Sequence, residues 1–279
     1  MAASKLTEYT ITEEVRSRIA GTPNPRLKQI MQTLISHLHE FAREVQLTSG
    51  EWNTGIEFLT ATGHISDDQR QEFILLSDTL GLSALVDLMR HQGESDRTTE
   101  SSLLGPFYRN GAPELEPGTD ISNGTAGEPL TIRGRALSSD GKTIPHAMLD
   151  VWQAAPNGLY DVQDANQPEV NLRARFRTDA QGRFEFRTIK PASYPVPHDG
   201  PVGKMLASLG RHPFRPAHIH FIVSAPRFAT LTTALYIAGD KYLDSDAVFG
   251  SRPSLDVDYR HTGGDHPDSI EFDFVLPES

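Results

Sequence analysis

The sequence predicts an all-β sandwich or barrel behind a helical N-terminal region. Three observations carry this expectation. Apolar residues in the first ninety positions recur at intervals of three and four, the period of a helix face. From Leu130 onward the chain is a succession of short apolar-alternating runs punctuated by turn residues. Between them lies a stretch rich in Gly, Pro, Ser and Asp, read as a connector. The expected division is a helical region over 1–100 and a β-sandwich region over 101–279.

In PRLKQIMQTLISHLHEFAREVQL, the residues Ile30, Leu34, Leu38, Phe41 and Val45 share one helix face. Pro25 suits the first turn, where its missing N–H costs nothing. A second helix is expected around Trp52, Ile56 and Leu59. A third is expected to start near Ser66, where Ser66 and Gln69 have capping-box spacing. It runs through QRQEFILLSDTLG, with Gly81 as an interruption, and SALVDLM extends the pattern to about Met89. Gly105, Pro106, Phe107 and Tyr108 stand out in the polar connector, either pinning it to a core or walling a pocket.

The strand candidates follow in order. LTIRGRAL leads through SSDGK to IPHAMLDVW. LRARFRTDAQGRFEFRTI reads as a hairpin around Asp179 to Gly182. AHIHFIVSA, TALYIAG and SIEFDFVL complete the set. There is no G-x-G-x-x-G, P-loop or internal repeat.

Composition narrows the function classes. The chain has 279 residues, 37% hydrophobic and 23% charged, which suits a soluble protein with a substantial core. Its net charge of −11 lacks the basic footprint of a nucleic-acid binder or an anionic-membrane binder. With no cysteine, thiolate metal sites, iron–sulfur clusters and cysteine nucleophiles are excluded. The segment MAASKLTEYTITEEV has no apolar h-region, and no run is long enough to span a bilayer. A cytoplasmic location is the expectation.

The strongest local chemical signal is Arg215-Pro216-Ala217-His218-Ile219-His220-Phe221. On a strand, positions i and i+2 face the same side, so His218 and His220 can offer two imidazoles to one metal. Alone, H-x-H fits a solvated strand face equally well. Glu185 and Asp150 fall in strands without a distinctive companion, and no H-E-x-x-H is present. Tyr160 and Tyr194 follow strands at loop positions, where functional groups are often displayed. Two phenolates and two neutral imidazoles would suit a hard trivalent cation, which can overcome the ordinary phenol pKa of about 10. Spacing alone also fits two ordinary rim aromatics.

The segments PNGLYD, YPVPHDGPVG and RPAHIHF, together with LLGPFY and the helical N-terminus, resemble the intradiol ring-cleaving dioxygenases over nearly the whole chain. The resemblance implies a β-sandwich catalytic domain holding one Fe(III) per chain. Its ligands would be Tyr160 and His218 in equatorial and Tyr194 and His220 in axial positions. It assigns Arg215 to the reacting ring and gives Tyr194 a second role as proton acceptor. It also implies a helical N-terminal region that forms a homodimer and holds a phospholipid. The reaction would be cleavage of a small aromatic diol or triol between its two hydroxylated carbons, with both oxygens taken from O₂.

AGDKYLDSDAVFG and FILLSDTLG are similar to the branch that acts on hydroxyquinol (1,2,4-trihydroxybenzene), yielding 3-hydroxy-cis,cis-muconate and then maleylacetate. By that similarity, Leu75, Asp78, Leu103, Leu104, Gly105, Pro106, Phe107 and Val248 line the substrate pocket. Asp78 is the candidate partner of the third hydroxyl. Ala234 departs from the larger polar residue usual in the family. Catechol 1,2-cleavage is the alternative within the class. A non-catalytic β-sandwich binding module and a zinc hydrolase are the alternatives outside it.

Overall fold

A computed structural model describes residues 6–68, 70–90, 97–261, 263 and 267–279. The chain divides into two compact units, Met1–Ala61 and Thr62–Ser279. None of the helices among the described residues is long and apolar enough to cross a membrane.

The first unit is helical. It holds α1 (Ile11–Arg18), α2 (Pro25–Glu44) and the start of α3 (Ser49–Ile65). Asn24 caps α2 by accepting the Leu27 N–H at 3.0 Å, and Pro25 opens the helix as expected. His39 and Arg43 on α2 meet the Thr12 hydroxyl of α1 at 3.0 and 3.1 Å. The predicted apolar face of α2 exists, but Ile30, Leu34, Leu38, Phe41 and Val45 are all exposed in the single chain.

The capping box falls elsewhere than expected. Thr48 and Glu51 exchange backbone-to-side-chain bonds at the start of α3, at 2.9 and 3.3 Å. Ser66 instead follows α3, and its hydroxyl donates back to the Thr62 carbonyl. Gln69 and residues 91–96 of the connector lie outside the described residues, as do residues 1–5 of the opening segment. The third helix therefore begins at α4 (Glu72–Thr79). Gly81, at φ +75°, breaks it from α5 (Leu82–Arg90).

The second unit contains α4, α5 and a β-sandwich. One sheet is built on β1 (Pro129–Ser138), flanked on one side by antiparallel β4 (Arg183–Ile189). Its other partners are the parallel β10 (Asp268–Glu271) and β11 (Phe274–Leu276). These last two are the predicted SIEFDFVL run, interrupted opposite Gly134. A Cβ at Gly134 would sit 1.7 Å from the Phe272 carbonyl oxygen, so only glycine admits this approach.

The other sheet has the order β3 (Arg173–Arg177), β2 (Met148–Trp152), β7 (His218–Ser224), β8 (Leu231–Ile237), β9 (Asp256–Val257). A two-stranded ribbon pairs β5 (Tyr194–Pro195) with β6 (Phe214–Arg215). The helix α6 (Pro201–Ser208) lies between them in sequence.

The expected hairpin over 172–189 is not one. The tight turn forms, with Gly182 N–H bonded to the Asp179 carbonyl at 3.0 Å. Yet β3 pairs with β2 and β4 pairs with β1, so the turn carries the chain from one sheet to the other. Burial explains this outcome. Phe176 of β3 stacks on Phe186 of β4 with centroids 4.9 Å apart, joining the inner faces of opposite sheets. Phe274 then bridges to Phe184 and Phe221 across the same core.

Candidate active site

β7 is buried on both faces, and the alternation of the strand sorts its residues. Ile219, Phe221 and Val223 join the sandwich core. His218 and His220 emerge on the other face, both almost fully buried. Trp152, directly opposite His220 on β2, stacks on that imidazole. Across β8, Ala234 is the partner of His220 and Tyr236 the partner of His218.

Both tyrosines reach this face. Tyr160 lies in the loop after β2, with its N–H held by the Gln163 side chain at 3.1 Å and its ring stacked on Phe107. Tyr194 is placed by the β5–β6 ribbon, opposite Arg215. The phenol oxygens of Tyr160 and Tyr194 lie 3.2 Å apart. Tyr194 Oη is 3.5 Å from His218 Nε2, which is 3.1 Å from His220 Nε2. Four polar atoms from three separate segments thus converge in one dry spot.

The tautomer follows from the neighbours. His218 Nδ1 lies 2.7 Å from the Pro216 carbonyl, an acceptor, so Nδ1 carries the proton and Nε2 presents its lone pair. Burial, and then the Arg215 charge, push the His218 pKa well below the ordinary range. Burial, the facing His218 and Arg215 do the same to His220. Both rings are held neutral, the form that binds metals. Burial raises the pKa of Tyr160 and of Tyr194, which keeps both phenols protonated until a cation offsets it.

Arg215 is the organising charge. Its Nε and Nη2 donate to the two carboxylate oxygens of Asp246, each at 3.1 Å. Nη2 also donates to Tyr236 Oη, and Nη1 lies 3.1 Å from His218 Nε2. Burial opposes its charge, but Asp246, Tyr236 and Tyr194 outweigh that and raise its pKa well above the usual value. Asp246 additionally accepts the N–H groups of Val248, Gly250 and Ser251. The carboxylate thereby fixes the loop carrying Val248 as well as the guanidinium.

The donor set fits a metal ion. Among the described residues, no three or more of His, Cys, Asp and Glu gather as a metal site. The cluster is instead two phenols and two imidazoles. The two imidazole Nε2 atoms stand 3.1 Å apart, and among the described residues His220 Nδ1 is buried without a partner. Two imidazole nitrogens this close must share a proton or a cation, and with the two phenol oxygens alongside they make a donor set that a cation can take up.

The remaining predicted residues surround the cluster unequally. Gly105, at φ +71°, brings its backbone beside His220. A Cβ there would stand 3.7 Å from the His220 ring. Leu75, Pro106 and Phe107 line a cavity of about 500 Å³ that also includes Leu159 and Gln163, on either side of Tyr160, and Pro195, next to Tyr194. Asp78 is buried near Arg215 and Asp246. Burial raises its carboxyl pKa, against the Ser83 hydroxyl and Arg215. Leu103 and Val248 are buried, whereas Leu104 is 41% exposed and is not drawn into the cluster. Phe107 meets both expectations for the connector, walling the cavity and stacking on Tyr160. Tyr108 pins it, packing on Trp152 and donating to Asp150 at 3.1 Å.

Sequence reasoning missed Asp246, Tyr236 and Trp152. Strand pairing places Tyr236 and Trp152 beside the histidines, and that register is visible only once β2, β7 and β8 are aligned. Asp246 stood inside a segment already singled out, but its partner Arg215 is 31 positions away.

Comparison with known proteins shows the family. The family described as "Dioxygenase" matches residues 103–278, and "Catechol dioxygenase N terminus" matches residues 24–98. The 6-chlorohydroxyquinol 1,2-dioxygenase of Cupriavidus pinatubonensis is 50% identical over 96% of this chain and 97% of its own length. The hydroxyquinol 1,2-dioxygenase of Nocardioides simplex is 46% identical over 91% and 86%, respectively. The crystal structure of hydroxyquinol 1,2-dioxygenase from Pseudomonas putida matches with a TM-score of 0.91 at 46% identity, covering 98% of this chain and 99% of that one. The chain belongs to the intradiol ring-cleavage dioxygenase family.

Proposed function

We propose that this chain cleaves hydroxyquinol between its two adjacent hydroxylated carbons, with O₂ as co-substrate, to 3-hydroxy-cis,cis-muconate and hence maleylacetate. The observation that carries the reading is the convergence of Tyr160, Tyr194, His218 and His220, with the two imidazole Nε2 atoms 3.1 Å apart. These four side chains would hold the non-heme iron of the family, one Fe(III) per chain. Bound iron(III) supplies a Lewis-acidic, electron-accepting centre at which a chelated diol becomes reactive toward O₂.

The protein's own groups divide the remaining work. Tyr194 Oη, 3.2 Å from Tyr160 Oη and on the β5 edge next to the cavity-lining Pro195, is the proposed acceptor of a substrate hydroxyl proton. The lone pair of His218 Nε2 serves one partner at a time. Were it to hold a metal ion, the Arg215 Nη1–H would be free to donate to negative charge developing on the substrate. The Asp246 fork prevents Arg215 from swinging away. Trp152, Phe107 and Tyr160 exclude water around the cluster. Asp78 is the proposed partner of the third hydroxyl, with Leu75, Leu103, Leu104, Gly105, Pro106, Phe107 and Val248 shaping the pocket.

The helical region within 1–100 is proposed to serve dimerisation and to accommodate a phospholipid, supported by the exposed apolar face of α2. In this reading α4, carrying Leu75 and Asp78, supplies one pocket wall, and the sandwich within 101–279 holds the metal. The absence of cysteine supports work in the cytoplasm.

The deciding experiment combines metal analysis, the visible spectrum and oxygen uptake. About one iron per chain, a tyrosinate-to-iron(III) band and faster turnover of hydroxyquinol than catechol are expected. A colourless zinc protein that is inert to both substrates would sink the reading.

A further inference from the structure

Arg211 lies just beyond α6, away from the metal cluster. Its guanidinium forks between two backbone carbonyls. Nη1 donates to Thr79 O at 2.5 Å and Nη2 to Ala247 O at 2.9 Å. Thr79 follows Asp78 at the end of α4, and Ala247 precedes Val248 in the loop set by Asp246. One side chain therefore ties the helix turn bearing the proposed hydroxyl partner to the loop bearing the opposite apolar wall. The same guanidinium lies over the Phe249 ring, 4.9 Å from its centroid.

That loop needs such support. Phe249 has φ +58°, a left-handed conformation that a bulky residue adopts at a cost. It persists where surrounding contacts over-determine it. Here the Asp246 carboxylate takes three loop N–H groups and Arg211 holds the carbonyl side. Gly81, just after α4 and at φ +75°, lies against the Phe249 ring. A Cβ built there would stand in ordinary contact, 3.4 Å from that ring, so the two segments pack directly. The end of α4 and the turn at Phe249 are thus fitted to one another, with Arg211 as the polar link.

We infer that Arg211 is a specificity-determining positioning residue, whose fork holds Asp78 at the distance from Val248 that a trihydroxylated ring requires. The inference rests on the proposed role of Asp78 in reading the third hydroxyl. An aromatic diol lacking that hydroxyl does not use the contact and is indifferent to its geometry. The linkage acts through two backbone carbonyls, so the guanidinium shape matters as well as its charge. A lysine ammonium is a point donor and cannot reproduce both bonds in one fixed fork.

The test uses the iron-loaded full-length enzyme and its Arg211→Met and Arg211→Lys variants, each alone and combined with Asp78→Ala. Arg211→Met is expected to lower kcat/KM for hydroxyquinol about ten-fold, mainly through KM. Catechol turnover, iron content and the visible band should change less than about two-fold. Arg211→Lys should recover part of the loss. In the Asp78→Ala background, Arg211→Met should leave the substrate ratio where it is, because the two act as one unit. Hydrogen exchange should rise in segments 72–80 and 246–250.

Equal losses for both substrates, an additive effect in the Asp78→Ala background, or full recovery with lysine would overturn the inference. So would an unchanged ratio in Arg211→Met while Asp78→Ala alone lowers it, and that pattern leaves the Asp78 reading intact. If Asp78→Ala itself leaves the ratio unchanged, the Asp78 reading fails and takes the Arg211 inference with it. Should Arg211→Met not fold, Arg211→Lys carries the same comparison.

Discussion

Trp152 lies flat against His220, with ring centroids 4.8 Å apart and planes 4° from parallel. The pair are direct cross-strand partners, so the sheet register sets the stack. Among the described residues the Trp152 indole N–H has no partner, so the contact with His220 rests on shape and area. Trp152→Phe is therefore expected to keep iron and most activity. Trp152→Ala should cost about 3–5 kcal/mol of stability and lower iron occupancy by freeing the imidazole. Urea denaturation with metal analysis checks this. A Phe variant as damaged as the Ala variant would mean that the stack is not what matters.

The four proposed ligands should not behave alike. Tyr160→Phe, His218→Ala and His220→Ala should each strongly reduce iron retention. Tyr194→Phe should keep part of its iron and yet lose turnover sharply, since it removes a proton acceptor as well as a ligand. Comparing kcat per bound iron separates the two losses. Full iron content in the first three variants would show that the wrong residues were chosen.

Asp246 takes five N–H groups into one buried carboxylate. Asp246→Asn leaves the Arg215 charge without a counter-charge and turns amide hydrogens toward backbone donors. A loss of about 3–5 kcal/mol is expected, together with reduced kcat as the guanidinium loses its fork. Stability and kcat both near wild type would remove Asp246 from the site.

Asp78 gives a pH signature. Burial raises its carboxyl pKa, so in the folded protein its charged form is disfavoured. A group of this kind favours folding below its unfolded value, near 3.8, and loses that contribution as pH rises through the raised folded value. Asp78→Asn should therefore raise Tm at pH 7, with a gain that shrinks toward pH 4. A gain that grows on acidification would contradict the assignment.

The exposed apolar face of α2 predicts self-association. Sedimentation at micromolar concentration should give twice the 30.8 kDa chain mass. Replacing Leu34 and Leu38 by Glu should shift the protein toward monomer. A wild-type monomer throughout that range would discard the proposed interface and leave the metal argument untouched.

Local features were the legible ones. Helix periods, strand alternation and the shared face of His218 and His220 depend on neighbours a few positions away. The meeting of Tyr160 with Tyr194 spans 34 positions, and Tyr194 with His218 spans 24, so only the family resemblance brought them together beforehand. The turn at Asp179 to Gly182 misled because its chemistry is the same whether its flanking strands pair or part. Ser66 misled because a hydroxyl that can cap one helix can equally back-bond the end of another. Asp246 was hidden for a simpler reason. In LDSDAVFG nothing distinguishes it from Asp244 until the chain is folded.

The position of β1 has a consequence for how the molecule is made. Its β10 and β11 partners come from the far end of the chain, and the Arg135–Asp273 contact alone spans 138 positions. Such pairing closes a very long loop before it returns any stabilisation, which slows assembly. On the ribosome, the β2 and β7 strands can meet while β1 still has one bare edge. That edge is a row of unpaired backbone donors and acceptors, open to the wrong partner until residues 268–276 emerge. β10 and β11, synthesised long after their partner β1, thus act as the closure of the first sheet, and the interval before closure leaves that edge exposed to aggregation.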